Sequence, residues 1–372
     1  MAKSQRSKSG KSGRGASNDG APAKRGATPR RSSPGASTTR GGGASTRGRG
    51  TRIERGNPTQ RPGKRARGTG AGLGAWIGGA RLRTLPLAIS PVILGTAGAQ
   101  TVSAEGEYHW VRALVCLVVA VFLQIGVNYA NDYSDGIRGT DDHRVGPARL
   151  TASGRATPTT VRNVAFACFG IAALGGLFLA WRTEQWWLIA IGAAAILAAW
   201  FYTGGKRPYG YYGLGEVFVF VFFGLVATAG TMYVQVLQVT NDGWLLAAAA
   251  GSFACAVLMV NNLRDIQQDR AAGKRTLAVL IGHVASRWVF GVLALAPYVV
   301  TVLFMLLYPN ALYSFFSLML IGPAVLITAT AVRAKELVLA LLLTSLGSLA
   351  YAVLLGLAVA FGPYLGVAES AY

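Results

Sequence analysis

Between Asn128 and Asp142 the chain reads N-Y-A-N-D-Y-S-D-G-I-R-G-T-D-D, a concentration of carboxylates and carboxamides at the end of an apolar run from Val111 to Val127. The length of that run suits a bilayer span. If its helix continues past Asn128, then Asn128, Asp132 and Asp135 recur at i, i+4 and i+7 and share one face. Ionisable groups at membrane depth are costly, so such a face points to an ion or substrate site. Two or three hard oxygen ligands from one segment fall short of a full coordination shell. They suit Mg²⁺, which takes its remaining ligands from water and a substrate phosphate.

A second stretch answers the first. Residues 261 to 277 read N-N-L-R-D-I-Q-Q-D-R-A-A-G-K-R-T-L, again closing an apolar run, Trp244 to Val260. Asp265 and Asp269 stand at i, i+4, with Asn261 or Asn262 one turn earlier on the same face. Each acidic cluster is followed by Arg or Lys. Carboxylates that hold metal, with metal and cations that hold phosphate oxygens, make a clamp for a diphosphate. A single cluster reads equally well as the solvated polar end of a helix; two matched clusters favour the clamp.

The elements that must position these residues are membrane helices. The chain has 372 residues, 52% hydrophobic and 14% charged, with a formal net charge of +21. That charge is unevenly distributed: residues 1 to 70 hold 18 Lys and Arg against two acids, Asp19 and Glu54. This Gly-, Ser- and Arg-rich segment lacks the large apolar residues needed to build a core and reads as a disordered basic tail. It has no aromatic residue to stack on bases, which disfavours nucleic acid, and no apolar stretch that would make it a secretory signal. Attraction to anionic lipid needs the fewest assumptions, beside plain solvation.

Residues 71 to 372 read as one transmembrane domain. Nine apolar segments, roughly 84–101, 111–133, 162–181, 185–203, 213–235, 244–264, 284–308, 311–331 and 337–361, approach the length of a span. The expected fold class is all-α: a polytopic bundle of about nine transmembrane helices around a central cavity, with glycines such as Gly170, Gly175 and Gly176 allowing close helix approach. The loops after the second, fourth, sixth and eighth segments carry most of the Arg and Lys, including Arg138, Lys206, Arg207, Lys274 and Arg333. By the positive-inside rule these loops and the amino terminus are cytoplasmic, which puts both acidic clusters under one cytoplasmic polar cap. Cys116, Cys168 and Cys255 lie singly in apolar segments and the histidines form no ligand pair, so neither a disulfide framework nor a zinc site is indicated.

These residues resemble a known family. The stretches N-D-Y-S-D-G-I-R-G-T-D-D and R-D-I-Q-Q-D-R-A-A-G-K-R-T-L-A-V are similar to the two Asp-rich motifs of the UbiA superfamily of intramembrane prenyltransferases. More specifically, they look like its 1,4-dihydroxy-2-naphthoate polyprenyltransferase branch, which makes demethylmenaquinone. Supporting stretches are Ala80 to Pro86, Arg144 to Gly154 and Tyr202 to Glu216, so the resemblance covers about residues 75 to 360. The commoner superfamily pattern has a third Asp four residues after Asp135, where this chain has Gly139. Asp141, spaced as in the naphthoate branch, is the implied substitute.

The resemblance implies a polyprenyl diphosphate seated between the clusters, with Mg²⁺ held by Asp132, Asp135, Asp265 and Asp269, and Asp141 as a fifth candidate ligand. Asn128, Asn131 and Asn262, with the cations Arg138, Lys206, Arg207 and Lys274, would bind substrate and stabilise the departing diphosphate. The aromatic ring of dihydroxynaphthoate would attack the allylic cation and lose its carboxylate as CO₂. Tyr202 and Tyr209 would face that cation, or serve as interfacial tyrosines. A bacterial plasma membrane is the implied location. Within the superfamily the alternative acceptor is 4-hydroxybenzoate. A secondary transporter using the Asp clusters as cation sites is the alternative from another class, although transporters place such sites at the membrane midplane in broken helices.

Overall fold

A computed structural model describes residues 70–103, 107–140 and 149–365, and among these every regular element is helical. Asp141 and the segment 1–69 lie outside the described residues. The elements are α1 (Leu73–Ala80), α2 (Pro86–Gln100), α3 (Trp110–Arg138), α4 (Pro158–Thr183), α5 (Leu188–Phe201), α6 (Gly215–Val219), α7 (Ala227–Val236), α8 (Asn241–Arg264), α9 (Ile266–Ala271), α10 (Leu277–Leu295), α11 (Pro297–Met305), α12 (Leu318–Thr330) and α13 (Leu337–Phe361). A π-helical stretch, Phe220–Val226, joins α6 to α7, and a 3₁₀ stretch, Pro309–Ser317, leads into α12.

Seven helical segments of the described residues are long and apolar enough to cross a membrane, and up to eight if a bent pair is taken as one span. That pair joins Leu73–Thr84 to Pro86–Gln100 at 47°, so the first expected segment is half of a broken one. The expected fourth span holds only α5, 14 residues long. At 1.5 Å per residue it reaches about 21 Å, short of a ~30 Å hydrocarbon core. The described residues thus hold seven or eight segments of spanning length and one shorter apolar helix, so the expected count of about nine is not confirmed.

Local chemistry sets the boundaries that matter to the site. α4 starts where the Thr157 side chain accepts the Thr160 N–H, with Pro158 in the first turn, and Thr240 caps α8 likewise by accepting from Gly243. α3 does continue past Asn128, carrying the first acidic motif on helix to Arg138, and ends at Gly139 in the left-handed conformation (φ 73°). At Asp265 the backbone leaves the helical range (φ −98°, ψ 9°), which separates α8 from α9 and turns the second motif at the end of its span.

α8 is the central element. Of its apolar stretch 72% is buried, against 17% for α3, and it packs on α2, α10, α13 and the π-helical stretch. Its approach to the π-helix is close: a Cβ at Gly224 would stand 2.5 Å from the Gly251 Cα. Among the three glycines singled out from the sequence, Gly175 makes such an approach, 2.7 Å to a Val119 methyl, whereas Gly170 and Gly176 face open space.

Candidate active site

The ends of α3 and α8 line one cavity of about 350 Å³, within the range of small-molecule sites. Its depth is apolar, walled by residues such as Val92, Val119, Leu123, Phe222, Phe223 and Val257. The π-helical stretch supplies two of these rings, and π-helical turns recur at functional sites. Around the polar end stand Asn128, Asn131, Asp135, Arg149, Tyr202, Tyr209, Tyr211, Asn262, Asp265, Asp269 and Lys274. Both acidic motifs thus contribute to one cavity.

Asp135 is the junction between them. It is buried, 3% exposed, yet its Oδ2 lies 3.0 Å from the Lys274 ammonium and 3.9 Å from the Arg149 guanidinium. Its Oδ1 accepts a 2.7 Å hydrogen bond from the Tyr211 hydroxyl. A carboxylate can be buried at this depth because cations and a donor surround it. The Tyr211 ring also lies under Lys274, 4.8 Å from the ammonium, and its backbone carbonyl accepts from the Arg275 N–H at 3.0 Å. Burial, and then the neighbouring Asp135 charge, push the Tyr211 hydroxyl above its ordinary pKa, so it stays a neutral donor at physiological pH.

The second motif is held differently. Arg264 forms a two-pronged pair with Asp265, at 2.8 and 2.5 Å, and also donates to the Asn261 side-chain carbonyl at 2.9 Å. The Asn262 amide donates to the buried Glu216 carboxylate at 3.1 Å. Asp269 lies one turn after Asp265, with its N–H on the Asp265 carbonyl at 2.8 Å, and both line the cavity.

Several residues singled out from sequence stand elsewhere. The cavity face of α3 runs through Gln124, Asn128, Asn131 and Asp135, not through Asp132. Asp132 is 1% exposed and accepts the backbone N–H of Leu150 on one oxygen (2.8 Å) and of Thr151 on the other (2.9 Å). Arg138 donates its guanidinium to the carbonyls of Thr203 and Gly205, latching the turn after α5. That turn places the Thr203 hydroxyl on the Asn131 side-chain carbonyl at 2.7 Å. Lys206 and Arg207 are exposed on the same turn and do not line the cavity. The residues in their place are Arg149 and Tyr211, which composition alone does not separate from neighbouring loop residues. Arg81, in the left-handed region (φ 56°), also lines the polar end.

The donor set fits a hard divalent cation. Asp135, Asp265, Asp269 and the Asn carbonyl oxygens are oxygen ligands of the kind Mg²⁺ takes. Among the described residues no three His, Cys, Asp or Glu side chains converge into a ready cage.

The sequence matches the model of the UbiA prenyltransferase family over residues 89–338. A Mycobacterium tuberculosis protein named 1,4-dihydroxy-2-naphthoate octaprenyltransferase is 48% identical over 297 residues, 78% of this chain and 99% of that protein. The Escherichia coli protein of the same name is 38% identical over 251 residues, 66% of this chain and 80% of that one. Among solved structures, the apo form of a UbiA homolog from Aeropyrum pernix superposes with a TM-score of 0.55 at 16% identity, covering 74% of this chain and 95% of that one. The first motif on α3, the second across the α8–α9 turn and the polar-ended cavity between them therefore belong to a multi-pass membrane protein of the UbiA prenyltransferase family.

Proposed function

We propose that this protein transfers a polyprenyl group from a prenyl diphosphate to 1,4-dihydroxy-2-naphthoate, releasing diphosphate and CO₂ and giving demethylmenaquinone in its quinol form. The observation that carries this reading is the near-complete coverage of a relative named for that activity at 48% identity, joined to one cavity that holds both acidic motifs. Its polar end suits a diphosphate and its apolar depth suits the hydrocarbon chain.

In this reading Asp135, Asp265 and Asp269 are the residues that would hold Mg²⁺, whose charge, when bound, neutralises the diphosphate as the allylic C–O bond breaks. Lys274 and Arg149, now paired with Asp135, exchange that carboxylate for phosphate oxygens when substrate enters. Tyr211 holds the Asp135 carboxylate in place with a neutral hydroxyl. Asn128, Asn131 and Asn262 have their amides fixed by Ala80, Thr203 and Glu216 respectively, which pre-orients them at the polar end. In this reading the Tyr202 and Tyr209 rings, 5.5 Å apart at the cavity wall, would stabilise the allylic cation. The acceptor's ring carbon forms the new C–C bond with that cation. Aromaticity returns when the bonding pair of the departing carboxylate is left on the ring and CO₂ leaves. The apolar walls keep water from the cation.

The test is prenyl transfer by the purified protein in liposomes, with Mg²⁺, a long-chain prenyl diphosphate and either 1,4-dihydroxy-2-naphthoate or 4-hydroxybenzoate. We expect product and CO₂ from the naphthoate, abolished by chelation and reduced roughly 10²-fold or more in Asp135→Asn and Asp265→Asn. Product from 4-hydroxybenzoate alone would keep the family and replace the acceptor.

A further inference from the structure

We infer that Asp132 is a positioning residue: its carboxylate fastens the Leu150–Thr151 backbone to α3 and thereby holds the Arg149 guanidinium at the diphosphate end of the cavity. The inference rests on the proposed function for the identity of the ligand, and on geometry for everything else.

The fastening has three parts, all on one face of α3. Each Asp132 oxygen accepts one backbone N–H, from Leu150 and from Thr151, so the carboxylate spans two successive peptide groups. One turn further along α3, Gly136 lets the chain come close: a Cβ there would stand 2.5 Å from the Thr151 Cβ. Leu150, 1% exposed, is buried in an apolar cluster with Tyr129, one turn earlier on α3, and with Ala80. These interactions fix the chain at residues 150 and 151. Arg149, the next residue back, then has its guanidinium 3.9 Å from Asp135 and in the cavity lining.

A metal ligand needs a lone pair directed into the cavity. Asp132 sits one residue from Asn131, about 100° round the helix from the cavity face, and it does not line the cavity. Two charge-assisted hydrogen bonds to peptide N–H groups support a carboxylate at this depth. Asparagine would serve less well, because it offers one acceptor and turns an N–H₂ toward the second peptide N–H.

The experiment compares Asp132→Ala, Asp132→Asn, Arg149→Ala and the double variant Asp132→Ala/Arg149→Ala in the full chain in liposomes. Three quantities are read: the KM for prenyl diphosphate, the Mg²⁺ concentration giving half-maximal rate, and equilibrium binding of inorganic diphosphate without acceptor. A positioning role predicts that Asp132→Ala weakens diphosphate binding and raises KM on the order of tenfold, as removal of one charge-assisted hydrogen bond to the ligand would. It also predicts an unchanged Mg²⁺ requirement and a double variant within about twofold of Arg149→Ala alone, because both changes remove one interaction. Additive losses in the double variant, or a Mg²⁺ requirement raised in Asp132→Asn as in Asp135→Asn, would overturn the inference and make Asp132 a ligand. If Asp132→Ala does not fold, Asp132→Asn, which keeps one acceptor, carries the same comparison. Wild-type protein that binds diphosphate with this coupling but transfers no prenyl group would sink the proposed function and leave the inference standing.

Discussion

At the scale of single residues the site is organised by what is allowed to be charged where. Asp135 keeps its place beside an apolar cavity because Lys274, Arg149 and Tyr211 converge on it from three different loops. Of these, Tyr211 acts on Asp135 through a single atom. Tyr211→Phe keeps the ring under Lys274 and Arg138 and deletes only the hydroxyl that orients Asp135. The loss of one hydrogen bond to a buried carboxylate is about 1.5–3 kcal/mol, so kcat/KM falls roughly tenfold to a hundredfold. Steady-state kinetics with varied prenyl diphosphate checks this, and unchanged kinetics would remove Tyr211 from the site. The two Asp motifs are legible in the sequence because acids at the end of an apolar run have few other reasons to be there. Which acid faces the cavity is not. Asn131 and Asp132 are adjacent, and the rotation of α3 that selects between them is set by its packing on α4, α2 and α1. Lys206, Arg207 and Arg149 are equally basic loop residues in sequence, and only the Asp132 clamp and the exposure of Lys206 and Arg207 sort them.

Among the elements, glycines let helices that line the cavity approach closely. α2 and α7 touch at Gly95, where a Cβ would stand 2.3 Å from the Thr228 carbonyl oxygen and 2.8 Å from the Thr231 Cβ. A backbone carbonyl cannot swing away as a side-chain end can, so Gly95→Ala must push the helices apart. Overpacking of this kind costs about 1–3 kcal/mol. Gly170→Ala, on the open surface of α4, is the matched control and should change nothing measurable. Thermal unfolding in detergent separates them: a lowered midpoint for Gly95→Ala alone is expected, and equal midpoints would show that α2 and α7 are free to separate. Apolar runs reveal where helices lie but not which of them cross. The apolar run 185–203 has the length of a span, yet the helix within it is only Leu188–Phe201, and Thr203 just beyond it meets Arg138. The break at Thr84–Pro86 is visible as a proline but its 47° bend is not, since a proline in a helix's first turn does not fix the direction of the preceding helix.

For the whole molecule, the basic loops come together at one end. Arg138 from α3 holds the Thr203 and Gly205 carbonyls, Lys274 after α9 meets Asp135, and the Arg275 N–H meets Tyr211. The end of α3 and the segments after α5 and α9 therefore form one polar cap at the cavity. At the opposite ends of α3 and α8, Arg112 donates to the carbonyls ending α7 and Asp242 accepts from Tyr308. Positive charge concentrated on one end is retained in the cytoplasm during insertion, which predicts that the cap, and with it the polar end of the cavity, faces the cytoplasm. In the proposed function the naphthoate and the diphosphate head group would then meet the site from the cytoplasmic side, while the prenyl chain lies along the apolar walls. The orientation is checked with single cysteines at Lys206 on the cap and Trp110 at the start of α3, both exposed, in a chain whose Cys116, Cys168 and Cys255 are buried. A membrane-impermeant maleimide should label Lys206→Cys only in inverted vesicles and Trp110→Cys only in intact right-side-out ones. The reverse pattern would place the cap and the polar end of the cavity on the outer side of the membrane and overturn the predicted orientation.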